Sequence, residues 1–156
     1  MTDLGSVKVS ATLIIISADG RALIIQRPDT DTWGGKWTVA GGKLGEEGVK
    51  THDLLYFPVK YCLIREAMEE VGIKVKFDDI HYLCSVYIPQ SNRLILSFFT
   101  VLESFAVDVS LKINRKEVQD WIWIKTSDLK YFDFIPDIDK EIEEVFKRLD
   151  SNKLSW

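Results

Sequence analysis

Apolar positions along this chain follow two periods. Residues 7–16 and 22–26 are rich in Val, Ile and Leu, the composition of strands. Ala18-Asp19-Gly20-Arg21 between them carries an Asp-Gly turn signal, which predicts a hairpin. A polar, glycine-containing loop is expected over 28–36, then a short strand that starts at Trp37 and runs into a glycine-rich stretch, 41–48. Further on, 74–77, 80–88 and 93–102 read as strands, with Pro89-Gln90-Ser91-Asn92 as the turn between the last two. Leu94, Leu96 and Phe98 alternate with Ile95, Ser97 and Phe99, so both faces of that strand are expected to be covered, as in a sheet packed between helices. Residues 121–124 form another strand and 127–129 a helical turn. Ile138, Ile142, Val145, Phe146 and Leu149 mark the apolar stripe of an amphipathic helix over 137–149, whose Glu141, Glu143 and Glu144 are expected to be solvated.

The helical period is also strong around Arg65-Glu66-Ala67-Met68-Glu69-Glu70-Val71-Gly72-Ile73. Pro58 suits the first turn of such a helix and Gly72 the position past its end. At about 100° per residue, Glu66, Glu69 and Glu70 fall within an arc of roughly 100°. Ile64, Ala67, Met68 and Val71 are expected on the opposite, core-facing side. Like charges at this spacing repel by a few tenths of a kcal/mol per pair (about 0.2–0.5), so something must offset them. A hard divalent cation does so, because carboxylate oxygens are what Mg²⁺, Mn²⁺ and Ca²⁺ prefer. The other reading is a solvated face partly neutralised by Arg65 and Lys60.

Composition narrows the class. With 156 residues, 46% hydrophobic and 28% charged, the chain is expected to be one globular domain, 1–156. A net charge of −4 argues against a nucleic-acid polymer as partner. Two cysteines, Cys62 and Cys84, build no disulfide framework and suit a reducing compartment. The N-terminus lacks the layout of a signal peptide and the apolar run 13–16 is too short to cross a bilayer, so no membrane association and a cytoplasmic location are expected. His52 and His81 are assigned no role.

The two glycine-and-carboxylate segments together resemble the Nudix hydrolases (MutT-like), whose signature is G-x5-E-x7-R-E-U-x-E-E-x-G-U, with U aliphatic. The second half is matched at every fixed position from Arg65 to Ile73, with Ala67 at one aliphatic position. In the first half, counting from Gly41 places the glutamate at Glu47, whereas counting from Gly42, as the family usually does, lands on Gly48. Ala40 stands where the family usually has proline. Seventeen residues separate Glu47 from Arg65 instead of seven, an insertion of about ten within the motif, roughly 49–57. Extra loop length is cheap, each doubling costing about 0.6 kcal/mol. The inserted Leu54, Leu55, Tyr56 and Phe57 are too apolar for a free loop and are expected to cover part of the pocket or a subunit interface, the latter making a homodimer.

The resemblance implies an α/β/α sandwich with a central mixed β-sheet, and a metal-dependent hydrolase of a nucleoside diphosphate linked to a further group, acting on a small-molecule nucleotide with Mg²⁺ or Mn²⁺. Carried over position by position, Glu69 and Glu70 are metal ligands, Glu66 a ligand or general base, and Arg65 the partner that fixes a carboxylate. Glu47 and the Gly41 carbonyl complete the expected metal set. Arg27, at a strand end, is expected near the phosphates. Trp37, with Trp33, can stack a base or belong to the core. An acidic residue just before the Trp-containing strand can add a ligand or base, Glu117 first and Asp120 second. Within the family, cleavage of a nucleoside triphosphate is favoured for a short domain without an extra N-terminal segment. ADP-ribose or a nucleotide sugar is the alternative, since Pro89 stands sixteen residues past Ile73, resembling a marker of ADP-ribose hydrolases. A nucleotide-binding sensor without turnover is the reading from another class.

Overall fold

A computed structural model describes residues 7–45, 47–110 and 112–151; the N-terminal reading above falls partly outside them. Strands β1 (Lys8–Ile16) and β2 (Ala22–Gln26) pair antiparallel, as the Asp-Gly turn predicts. Gly20, at φ 78°, supplies the left-handed residue that this turn needs. After β3 (Trp37–Thr38) and β4 (Ala40–Lys43) come two short strands inside the insertion, β5 (Val49–Thr51) and β6 (Leu54–Tyr56), then helix α1 (Pro58–Val71). Strands β7 (His81–Ile88), β8 (Arg93–Val101) and β9 (Asp120–Ile124) precede helix α2 (Ile138–Asp150).

Seven strands make one mixed sheet in the order β3-β2-β1-β8-β7, with β4 also on β1 and β9 also on β2. The β1–β8 pair is parallel and the other pairs are antiparallel. Strand β1 is the spine, and its alternation divides the interior. Ala11, Leu13 and Ile15 join a core with Leu63, Ala67 and Val71 of α1, while Ile14 and Ile16 join a second core with Ile142, Val145 and Phe146 of α2. Phe98 packs with the first and Phe99 with the second, so β8 is covered on both faces as its apolar continuity predicts.

Two expectations change. Residues 74–77 form no strand: Ile73 and Val75 bury their side chains in the α1 core without a ladder partner, and Phe77–Asp79 is a 3₁₀ turn. On α1 the inward face is Cys62, Leu63, Ala67, Glu70 and Val71. Met68, expected in the core, is 48% exposed, and Glu70, expected on the open face, is turned inward.

Candidate active site

Helix α1 starts at Pro58 and stops at Gly72, whose φ of 68° lets its N–H and that of Ile73 return to the carbonyls of Met68 and Ala67. Between these ends, Arg65 gathers the carboxylates. Its guanidinium binds Glu47, Glu66 (3.0 Å) and Glu69 (2.9 Å). Glu47 also accepts the Gly45 N–H at 3.0 Å. Across the insertion of about ten residues, Glu47 thus lies beside the helix, on Arg65.

Glu70 sits deeper, only 5% exposed, and accepts the Gly41 N–H at 3.0 Å. Burial pushes its carboxyl up to about 9; the Gly41 N–H opposes this, and the charges of Glu66 and Glu117 add to it. Glu66 is raised too, first by burial, while Glu70, to which it is hydrogen-bonded, and Arg65 pull it back. Partial burial works to raise Glu47, but backbone N–H groups and Arg65 hold it below the ordinary value. Arg65 pays a burial penalty, which its three carboxylate partners outweigh, so its charge is locked on.

The paired glycines have separate reasons. A Cβ on Gly42 would lie 2.4 Å from a Glu66 carboxylate oxygen, and one on Gly41 would lie 2.3 Å from the carbonyl oxygen of Ala11 on β1. Gly42 therefore makes room for the carboxylate, and Gly41 lets β4 lie against β1. The double glycine signals a close approach; which contact each one permits is visible only in three dimensions.

Asn114, which the sequence reading passed over, ties Glu117 to this group. Its N–H donates to the Glu70 carbonyl (3.0 Å), and its carbonyl accepts the N–H of Glu117 (3.0 Å) and Val118 (2.9 Å). Asp120 instead bonds the N–H of Trp121 at 2.8 Å. The remaining two candidates have partners outside this carboxylate group. Arg27 pairs with Asp31 at 2.7 Å and has a buried Nε without a hydrogen-bond partner. Trp37 packs edge-on against Phe132, 5.1 Å between ring centres, at the margin of the α2 core.

Among the described residues, no three acidic, His or Cys side chains are gathered closely enough to ring a cation as they stand. The donor chemistry nevertheless fits a hard divalent ion. The candidates are all oxygens, and the most buried carboxyl holds a proton whose place a cation can take.

On the opposite face of the sheet, a cavity of about 290 Å³ opens between β7 and α2, with Cys84, Val86, Lys140 and Glu141 in its wall. Glu141, expected to be solvated, is half-buried. Its carboxyl is raised, first by burial, and is hydrogen-bonded by Ser97 and by the Cys84 thiol (3.6 Å). Thr12, the ladder partner of Gly41, donates to Ser97 at 3.0 Å, so this wall is linked across β1 to the glycine strand.

The family model described as NUDIX domain matches residues 7–149, and the chain belongs to the Nudix family as a Nudix-type pyrophosphohydrolase. Among solved structures it is similar in fold to the MutT protein from Methanosarcina mazei Go1, with 20% identity over 92% of this chain and 94% of that one and a TM-score of 0.63. It is likewise similar to the NUDIX domain of Shewanella oneidensis NrtR complexed with ADP ribose (17% identity, 92% and 89% covered, TM-score 0.70). A third is the MutT NUDIX hydrolase from Burkholderia pseudomallei (23% identity, 88% and 97% covered, TM-score 0.63). No curated protein matches the chain. Among the described residues no helix is long and apolar enough to cross a membrane.

Proposed function

We propose that this single domain is a Mg²⁺- or Mn²⁺-dependent hydrolase of nucleoside triphosphates, cleaving the phosphate chain of a small-molecule nucleotide. The observation that carries this reading is the Glu66–Glu70 pair, half-buried and buried respectively, hydrogen-bonded to each other and backed by Gly42 and Gly41. Two adjacent carboxyls with a raised affinity for protons are poorly tolerated unless a cation replaces the proton. Glu66, Glu69, Glu70, Glu47 and the Gly41 carbonyl would hold that cation, which when bound neutralises the substrate's charge and acidifies a water. Arg65 aims three of these carboxylates at once. Glu66 or Glu117 accepts the proton of the attacking water. Arg27, at the end of β2, would bind phosphate oxygens through the exposed part of its guanidinium. The cavity between β7 and α2 has room for a base, with the Glu141 carboxyl positioned to hydrogen-bond it; the edge-on packing of Trp37 favours the core over base stacking. The unpaired Cys62 and Cys84 support a cytoplasmic setting.

A second reading within the family, an ADP-ribose or nucleotide-sugar substrate, draws on Pro89, which opens the turn between β7 and β8, and on the fold likeness to a domain complexed with ADP ribose. The test is a panel of nucleoside triphosphates, ADP-ribose and nucleotide sugars with each metal, with the phosphorus products identified by ³¹P NMR. Pyrophosphate release from a triphosphate is expected. Turnover of ADP-ribose alone selects the second reading, and tight binding without turnover of any compound selects a sensor.

A further inference from the structure

We propose that the inserted hairpin is a self-association surface on which β6 pairs antiparallel with β6 of a second copy of this chain, about a twofold centred on Leu55. This rests on the hairpin alone and is independent of which nucleotide is cleaved. Strands β5 and β6 form their own two-stranded sheet, apart from the main one. Val49, Leu54, Leu55, Tyr56 and Phe57 are 40–59% exposed. The register Val49↔Tyr56, Lys50↔Leu55, Thr51↔Leu54 puts Val49, Thr51, Leu54 and Tyr56 on one face of the ribbon. So short a ribbon is marginal in water on its own. It also ends in unfavourable backbone: Phe57 holds a left-handed φ of 59°, where a bulky residue is an outlier. Among the described residues, Phe57 packs on Phe77 at the hairpin base, while Val49, Leu54, Leu55 and Tyr56 stay 40–59% exposed.

The edge geometry says what can cover them. Thr51 and Leu54 close a two-residue loop and form a hydrogen-bonded pair, as do Val49 and Tyr56 one repeat on. Lys50 and Leu55 therefore point their N–H and C=O outward, one to each free edge. Pairing two copies along β5 would set Lys50 beside Lys50. Pairing along β6 centres on Leu55, an edge with no proline, charge or bulge to protect it. There Leu55 exchanges both backbone hydrogen bonds with Leu55 of the second copy. Leu54 meets Tyr56 of that copy in the close, non-hydrogen-bonded register, and Tyr56 meets its Leu54 in return. The antiparallel sense carries the tip of each hairpin to the base of the other, where Phe57 packs against Phe77 with ring centres 5.3 Å apart. Charge permits the approach: Lys50 and Asp53 cancel within the hairpin, although the chain as a whole carries −4. An isologous contact of this size forms a weak dimer.

Sedimentation velocity on the full chain from about 1 to 200 μM should show a concentration-dependent dimer. Leu54→Lys and Tyr56→Glu should each be monomeric with an unchanged circular dichroism spectrum. An equimolar mixture of the two should associate again, since Lys at 54 then faces Glu at 56 while the untouched Leu54 and Tyr56 meet at the second contact. A wild type that is monomeric throughout this range overturns the proposal. So does a dimer that survives both substitutions, or a mixture of folded variants that stays monomeric. Monomers in which the variants alter only KM would assign the hairpin to substrate contact instead.

Discussion

Helices α1 and α2 lie on opposite faces of one sheet, and each turns a glutamate toward it. Glu70 of α1 meets a backbone N–H, a second carboxyl and the negative charge of Glu117, with Arg65 one turn away. Glu141 of α2 meets a serine hydroxyl and a thiol beside a cavity, with Asp137 as the like charge. Burial raises both, but only Glu70 reaches about 9. The difference teaches that an inward carboxylate does not by itself gather other charges around it. What distinguishes α1 is a set of like charges held together by a single guanidinium and backed by glycines that leave room for nothing else.

The sharpest way to break this comparison is Glu70→Gln. Gln keeps an oxygen for the Gly41 N–H but cannot ionise to take a cation, so turnover on the best substrate should fall by about 10²–10⁴, with the melting temperature in the absence of metal unchanged or higher. Wild-type turnover would remove α1 from the chemistry. Glu141→Gln should leave cation-induced thermal stabilisation intact and change KM more than kcat.

Arg65→Lys comes next. It keeps one charge but loses the fork that holds Glu47, Glu66 and Glu69, and should cost about 10–100-fold in activity or metal affinity, read by titrating Mn²⁺ against turnover. The glycines separate site from scaffold. Gly41→Ala drives a Cβ into the β1 backbone and should lower stability by about 1–3 kcal/mol, measured by urea unfolding. Gly42→Ala displaces the Glu66 side chain, and should lose activity with a smaller loss of stability.

A pH series tests the origin of the Glu70 shift. Its ordinary value is 4.5 and the folded value about 9, so between these the folded protein retains a proton that the unfolded chain has released. The stabilising effect of that proton is complete below about 4.5, declines as pH rises through the window, and is gone above about 9. Melting temperatures without metal should follow this decline, and Mg²⁺ should flatten it by occupying the ionised form. The smallest effect is expected at Glu143, exposed on α2: Glu143→Gln should alter stability by no more than about 0.5 kcal/mol, and a larger change would show that this face has a partner.

Much of this molecule is local, and local features were legible in the chain itself. The Asp-Gly turn, the Pro58 and Gly72 limits of α1, the stripe of α2 and the two-sided strand β8 follow from backbone preference and period, which depend on neighbours a few residues apart. The run from Arg65 to Ile73 also carried the family resemblance, because its fixed positions lie on one helix and the residues just past its end. Tertiary structure decided the rest. It turned Glu70 inward and Met68 outward, because Gly41 on β4 offers a hydrogen bond at that depth of the helix. It left residues 74–77 unpaired and drew Val75 into the core beneath α1 instead. It made Glu141 half-buried through Ser97 and Cys84, set Gly42 against Glu66, and held Glu47 on Arg65 across an insertion that no count of residues resolves. Each of these is a contact between segments distant along the chain, fixed by which faces the sheet brings together, and periodicity within one segment carries no information about that.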